Sequence, residues 1–573
     1  VFLLSFDADA ANAAERLTVT QFKVGSMASS YSADVVIVGT GAVGCTVAEQ
    51  ALDAGLSVLM LEAGPWVERW QIVENFRNLP PALKGGGHFD APYPPKPWAP
   101  HLETYTEAVA AEYLQLEGPD ALAYRQGYVR YAGGATWHWA GICWRLTPDD
   151  MRLKSLYGVG RDWAFDYHTL EPFYTRAEYS MGVCGPSDPA LQWPPIRSKP
   201  YPMGRLPLGP GEQRLTDAAA KIGLLNIPTA QARNSGVSYH DRPPCCGNNN
   251  CFPVCPIGAK YDAATVLPRI VAKGGVILPN AVVYRVETGE KNIVQAVHFF
   301  DPEKTSHRVT GRAFVIACNG IETPKLLLLS RDDRNKNGVA NSSDQVGRNM
   351  MDQAKIVTIS TFAEPLWTGV GPVQGSSIMQ TSQGKFRSEY AGVQIRMENA
   401  ARSGIGGMAA LQKGLVGKAL DAEIRRLSAC TGQITLEHET LPSPINRLTL
   451  SDKKDWLGLN KPNIYYDVGD YVRRSVQKFS VPTVKRLLSE LGATDSQIAT
   501  QFTHSDHIMG GCIMGADPSN SVVDPDCRAH DHENLFLPGG GAMTTGGSGN
   551  STLTMVALAM KASDALVAQL KAG

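Results

Sequence analysis

Four of the eleven cysteines in this chain fall within Cys245-Cys246-Gly247-Asn248-Asn249-Asn250-Cys251-Phe252-Pro253-Val254-Cys255, among the Gly, Asn and Pro of a loop. Thiolates so spaced converge on one point, and soft sulfur selects zinc or an iron–sulfur cluster. Cys245, Cys251 and Cys255 are the candidate ligands. Adjacent residues of an extended segment face opposite ways, so Cys246 reads as a neighbour pointing away. Zinc on all four thiolates, or disulfides, compete with this reading. The other seven cysteines are scattered, and an odd total argues against a fully paired framework.

A second site lies upstream. Asp34-Val35-Val36-Ile37-Val38 is a β-branched run suited to a buried parallel strand. It enters Gly39-Thr40-Gly41-Ala42-Val43-Gly44, then a helical stretch, then Val58–Leu61 ending at Glu62. This is a complete βαβ dinucleotide fingerprint. Gly39 makes the turn, Gly41 lets pyrophosphate approach the backbone, and Gly44 packs helix on strand. Glu62 can accept from ribose hydroxyls and disfavours a 2′-phosphate, but does not separate NAD from FAD. A redox nucleotide in the same chain favours an electron-carrying cluster over a structural metal at the cysteine loop.

The far end of the chain carries His507-Ile508-Met509-Gly510-Gly511, Ser521-Val522-Val523-Asp524-Pro525, Asn534-Leu535-Phe536-Leu537-Pro538-Gly539 and Gly546-Gly547-Ser548-Gly549-Asn550. Together these resemble the glucose–methanol–choline (GMC) family of FAD oxidoreductases. Val315–Pro324 and Val346-Gly347-Arg348-Asn349-Met350-Met351-Asp352 resemble further elements of that family, in its order. The cysteine loop, Gly133-Gly134-Ala135-Thr136-Trp137-His138-Trp139 and Tyr157–Asp162 are similar to the catalytic subunits of bacterial sugar dehydrogenases within it.

The resemblance implies an α/β (α+β overall) fold, with a Rossmann-like FAD-binding domain and a sheet-based substrate-binding domain. It implies FAD held by Gly39, Gly41, Gly44, Glu62, Gly133, Gly134, His138, Val283, Gly540 and Ser551, with His138 either packed on the flavin or bonded to it. It also implies a [3Fe-4S] cluster on the cysteine loop. The implied assembly is a heterotrimer with a small Tat-exported chaperone-like subunit and a multihaem cytochrome c, at the periplasmic face of the inner membrane. The implied substrate is a sugar or polyol, fructose first, with glucose, sorbitol or gluconate as alternatives. An oxidase using oxygen, and an inactive redox or scaffold subunit, are competing functions.

Oxidising an alcohol needs a base for the hydroxyl proton and an acceptor for the hydride. His507 is the expected base, since imidazole titrates near working pH. Asn550 is expected to hydrogen-bond the same oxygen over flavin N5 and to cap the closing helix, whose dipole favours charge building on the flavin. Two departures from the family pattern bear on substrate identity. Asp352-Gln353-Ala354-Lys355 stands where the family has Asp-His-Pro, and His504-Ser505-Asp506 precedes the base. An acid beside His507 is expected to raise its pKa.

These groups must be positioned by a large fold. At 573 residues the chain can hold two or more cores. A formal net charge of −1 gives no support to a nucleic-acid or anionic-membrane partner. No uninterrupted apolar run reaches the eighteen residues of a spanning helix; Leu553 to Leu570, with Lys561, Ser563 and Asp564, reads as an amphipathic helix. Residues 1–32 read as a disordered extension, with Met27 as a candidate natural start. The expected layout is a discontinuous FAD domain over 33–355, with the cysteine loop at 240–260. A substrate domain covers 356–500, and 501–573 returns to the FAD domain with the catalytic residues. Alternating runs at Asn446–Leu450 and Asn463–Tyr466 predict strands in the sheet that roofs the site. Pro92 to Pro100 reads as an irregular loop.

Overall fold

The computed structural model describes residues 31–78, 113–120, 129–252, 254–401, 403–455 and 457–572. The expectations for residues 1–26, for Met27 and for Pro92–Pro100 lie outside these. The first strand, Tyr31–Val38, begins two residues inside the stretch read as a tail.

Val35 to Val38 are almost wholly buried, as a β-branched run between two parallel neighbours must be. They pair in parallel with Val58–Leu61 on one side and Ser306–Ile316 on the other. The sheet extends through Val276–Leu278 at one edge and through the antiparallel strands Val294–Phe300 and Val282–Thr288 at the other. Leu535–Phe536 adds a parallel strand beside the end of Ser306–Ile316. Helix Ala42–Asp53 follows the first strand.

The closing helix, Thr552–Ala572, packs between Ala42–Asp53 and helix Tyr167–Met181. By length and composition it could cross a membrane, yet 67% of its apolar stretch is buried in the fold. Tyr174 and Thr554 hydroxyls bond at 2.8 Å within this packing. It is a core helix here.

A six-stranded antiparallel sheet forms the second layer, in the order Ala493–Ile498, Ala354–Phe362, Thr431–His438, Val393–Glu398, Ser376–Ile378 and Asn226–Pro228. Its strands alternate with period two. Ile356, Ile395, Met397, Ile434 and Leu436 join a core with Leu215, Val484, Leu487 and Leu488 of helices Pro210–Lys221 and Val481–Glu490. The other face carries Lys355, Arg396, Glu398, Gln433 and Glu437, and looks toward the first sheet. Residues 210–228, on the FAD side of the expected boundary, thus contribute a helix and an edge strand to this layer.

The runs near 446 and 463 are strands, Arg447–Lys454 and Asn460–Tyr465. They do not join the roof. They form a separate three-stranded sheet with Gln115–Glu117, because their partner comes from a distant part of the chain.

Candidate active site

Gly39 takes φ 99°, and a Cβ there would stand 2.6 Å from Ala317 O. A Cβ on Gly44 would meet Gly39 O at 2.1 Å, so helix Ala42–Asp53 can seat on the turn only without one. A Gly41 Cβ would meet nothing within 4 Å; that face of the turn is open. Gly44→Ala is therefore expected to lift the helix and yield protein with little bound FAD. The ratio of flavin to protein absorbance checks this, and full FAD content would contradict it.

Glu62 is buried, and burial raises its pKa. It accepts from Thr40 Oγ1 at 2.5 Å, Thr40 N at 3.1 Å and Gly64 N at 3.0 Å. Thr40 Oγ1 in turn accepts from Gly133 N at 3.1 Å, tying the Gly133-Gly134 loop to the nucleotide turn.

One cavity of about 1800 Å³ runs between the two sheets. Gly39, Gly41, Glu62, Gly134 and Val283 line one end, and His507, Gly540, Asn550 and Ser551 the other, with His138 also in its wall. Gly44 and Gly133 stand behind the lining. His138 is buried, and burial with the nearby Lys260 lowers its pKa to about 4.

At the catalytic end, Asp352 accepts the backbone N–H groups of Ser505, Asp506 and His507 at 2.8, 3.2 and 3.0 Å. This fixes the loop that presents the imidazole. Burial raises the Asp352 carboxyl to about 7, with Asp506 adding to the rise. His507 Nδ1 lies 2.6 Å from Gln353 Oε1, and Asn550 Nδ2 lies 2.9 Å from His507 Nε2. Two residues 43 positions apart are thus in direct contact. Asn550 Oδ1 and Ser551 Oγ are buried in the wall without a hydrogen-bond partner. Ser551, whose carbonyl accepts from Met555 N at 3.1 Å, holds the cap position, and Asn550 precedes it.

The pKa of His507 is lowered, not raised as Asp506 suggested. Burial dominates, and Arg396 and Lys355 add to it against Glu437 and Asp506. Asp506 is drawn away to His504, 2.7 Å from its Nδ1.

The whole-chain comparisons agree with this geometry. Two family models, both described as GMC oxidoreductase, match residues 164–355 and 431–559. The fructose dehydrogenase large subunit of Gluconobacter japonicus is 50% identical over 545 residues, covering 95% of this chain and 99% of that one. The chain belongs to the GMC oxidoreductase family. The 6'''-hydroxyparomomycin C oxidase of Streptomyces lividus is 28% identical, covering 94% of this chain and 92% of the relative. Among solved structures, formate oxidase of Aspergillus oryzae superposes with TM-score 0.63 at 14% identity, covering 95% of this chain and all of that one, a likeness of fold.

This GMC oxidoreductase is FAD-dependent and acts on CH–OH donors. Its residues fit the cofactor. The open face of Gly41 and the orphaned Asn550 Oδ1 and Ser551 Oγ front the same cavity. The N-terminus of the closing helix meets it at Ser551 and Thr552, where free N–H groups suit an anionic edge.

The cysteine loop corrects an expectation. Among the described residues, no three His, Cys, Asp or Glu side chains form a group that could hold a metal ion. Cys245, Cys246, Cys251 and Cys255 are all free thiols; Cys251 and Cys255 are buried, Cys245 half-buried and Cys246 exposed. Their electrostatic neighbour is the buried Arg233 guanidinium: burial opposes its charge, and Cys251, Cys245 and Cys255 favour it. Close spacing in sequence did not arrange these side chains as a metal-binding group. The [3Fe-4S] cofactor is withdrawn, and with it the iron–sulfur relay to a cytochrome c in a heterotrimer. The loop has another role in the fold. Asn249 Nδ2 donates to Gly371 O and Asn399 O, both at 2.8 Å, clipping the loop to the roof beside the cavity.

The roof residues were missed from sequence. Arg396 pairs with Glu437 through both terminal nitrogens, and its Nε donates to Glu398 at 3.0 Å. Ser505 Oγ donates to Glu437 at 3.0 Å, joining this network to the loop of His507. Burial would lift the Glu437 carboxyl, but Arg396 holds it down at about 2. The alternation in Val393-Gln394-Ile395-Arg396-Met397-Glu398 was a usable strand signal, but it could not say that the polar face borders a cavity.

Proposed function

We propose that this enzyme oxidises a CH–OH group of a sugar or polyol, with fructose the first substrate to test. The observation that carries this reading is the buried polar face of the roof sheet. Arg396, Glu398, Gln433, Glu437 and Lys355 line the cavity beside His507. A wall of buried donors and acceptors suits a ligand with a hydroxyl on nearly every carbon, and penalises an apolar alcohol that would leave them unpaired. The half-identical relative named as the fructose dehydrogenase large subunit supports the same choice.

Bound in the cavity, FAD supplies the two-electron acceptor for the hydride. The chain supplies the rest. Neutral His507 takes the hydroxyl proton at Nε2, and Asn550 Nδ2, already aimed there, donates to the oxygen that loses it.

Turnover of fructose, glucose, sorbitol and gluconate, each with oxygen and with an artificial dye as acceptor, tests the proposal. Dye reduction or oxygen uptake with at least one of them is expected, and activity only with apolar alcohols would overturn it. With the cluster reading corrected, oxygen is the acceptor to test first.

His507 acts as a base only when neutral. Burial holds its pKa below the ordinary 6.5, so the acid limb of kcat/KM should be centred below 6.5. An acid limb centred above 6.5 would contradict this environment.

A further inference from the structure

We propose that Gln353 is a positioning residue that sets which nitrogen of His507 is free to take the substrate proton. The inference rests on His507 being the base, as above, and concerns a residue that departs from the family pattern.

Gln353 is wholly buried, and its amide is held at both ends. Nε2 faces three backbone carbonyls, donating to Gly546 O at 3.3 Å, Gly547 O at 3.1 Å and Gly549 O at 3.0 Å. Carbonyls only accept, so the nitrogen end must lie there. The orientation of the amide is thus fixed by the Gly546–Gly549 turn, independently of the histidine. Oε1 is left pointing at His507 Nδ1, 2.6 Å away.

An amide oxygen also only accepts, so Nδ1 must carry the hydrogen. A neutral imidazole has one N–H, which leaves the lone pair on Nε2. That nitrogen faces Asn550 Nδ2 and the cavity. The opposite tautomer would set two lone pairs against each other at Nδ1 and two N–H groups against each other at Nε2. Gln353 therefore selects the basic tautomer. It does so without a formal charge, so it adds less to imidazolium stability than a carboxylate would. The charges that do face His507 come from other elements: Arg396 and Lys355 against its protonation, Glu437 and Asp506 for it.

The turn that holds Gln353 leads straight into Asn550. One side chain therefore sets the base and fixes the segment carrying its partner.

Two substitutions separate this role from a structural one. Gln353→Glu keeps an oxygen for Nδ1 but can donate at most one hydrogen to the three carbonyls. Gln353→Met fills the space and offers neither group. Anaerobic flavin reduction should stay within about tenfold of the parent in the first variant and fall about 10²- to 10³-fold in the second, at equal FAD content. Equal losses in both would assign Gln353 to the turn alone and overturn the proposal.

A second readout needs no substrate and leaves Gln353 in place, so its failure is distinct from failure of the sugar reading. In holoenzyme labelled with [15N]histidine, the signals absent from His507→Ala should show a protonated Nδ1 and an unprotonated Nε2 at neutral pH. The reverse assignment would overturn the proposal.

Discussion

Replacing His507 with alanine is expected to slow flavin reduction by the substrate about 10²- to 10⁴-fold, the usual contribution of a positioned general base, while FAD stays bound. The reason for so large an effect is positional. The imidazole is held from three directions: Asp352 on its backbone N–H, Gln353 on Nδ1 and Asn550 on Nε2. His507 is the imidazole hydrogen-bonded to Asn550, at 2.9 Å. Burial keeps the ring neutral, so it is ready to accept a proton at pH 7. Alanine removes the acceptor and leaves Asn550 Nδ2 donating into an emptied space. The nucleotide end of the cavity is untouched, which is why cofactor content should not change. Stopped-flow absorbance at the oxidised flavin band measures the rate, and a variant within tenfold of the parent would remove His507 from the chemistry.

Arg396→Leu is expected to destabilise the roof by about 3–5 kcal/mol, the cost of leaving a buried charge without its partner. Arg396 is the shared cation of Glu437 and Glu398, and all three side chains are largely buried. Without it, Glu437 loses the group that holds its pKa near 2 and must take up a proton or stay unpaired. His507 is affected too. It loses a positive charge that lowered its pKa, so the acid limb of activity should move upward. Denaturant unfolding followed by fluorescence reads the first effect, and a pH profile the second. Adding Glu437→Gln should recover part of the stability, since one of the two orphaned carboxylates is gone and Glu398 still accepts from Gln374 Nε2 at 3.0 Å, but not the turnover of sugar. A single variant as stable as the parent would mean that the pair is not desolvated as described.

The parts of this molecule that sequence conveys best are those determined by near neighbours. The βαβ turn at Gly39–Gly44 is local: strand, glycines, helix and acid all lie within about thirty residues, a span characteristic of the motif. His507 and Asn550 were found through motifs, yet nothing in their 43-residue separation specifies a 2.9 Å contact. Sheet membership was less legible. Arg447–Lys454 has a strand's alternation, but its sheet is completed by Gln115–Glu117, and pairing over such a distance leaves no local mark. The same holds for the roof, where period two announces a strand with one polar face. Only the packing of two layers makes that face a cavity wall.

The cysteine loop fails for a related reason. Spacing along a chain limits how far apart side chains can be, not where they point. Asn249 pulls the loop against Gly371 and Asn399, and Arg233 lies among the sulfurs. Asp506 shows the electrostatic version. A neighbour in sequence was expected to raise the pKa of His507, but the carboxylate turned to His504, and burial decided the outcome.

We propose that a sugar or polyol hands its hydride to FAD in the cavity beneath this polar roof. Mixing the oxidised holoenzyme anaerobically with fructose, glucose, sorbitol or gluconate, and following the flavin band, tests it most directly. Rapid bleaching by at least one of the four is expected, and a slower rate when the reacting carbon carries deuterium. A flavin that dithionite bleaches but none of the four does would contradict it.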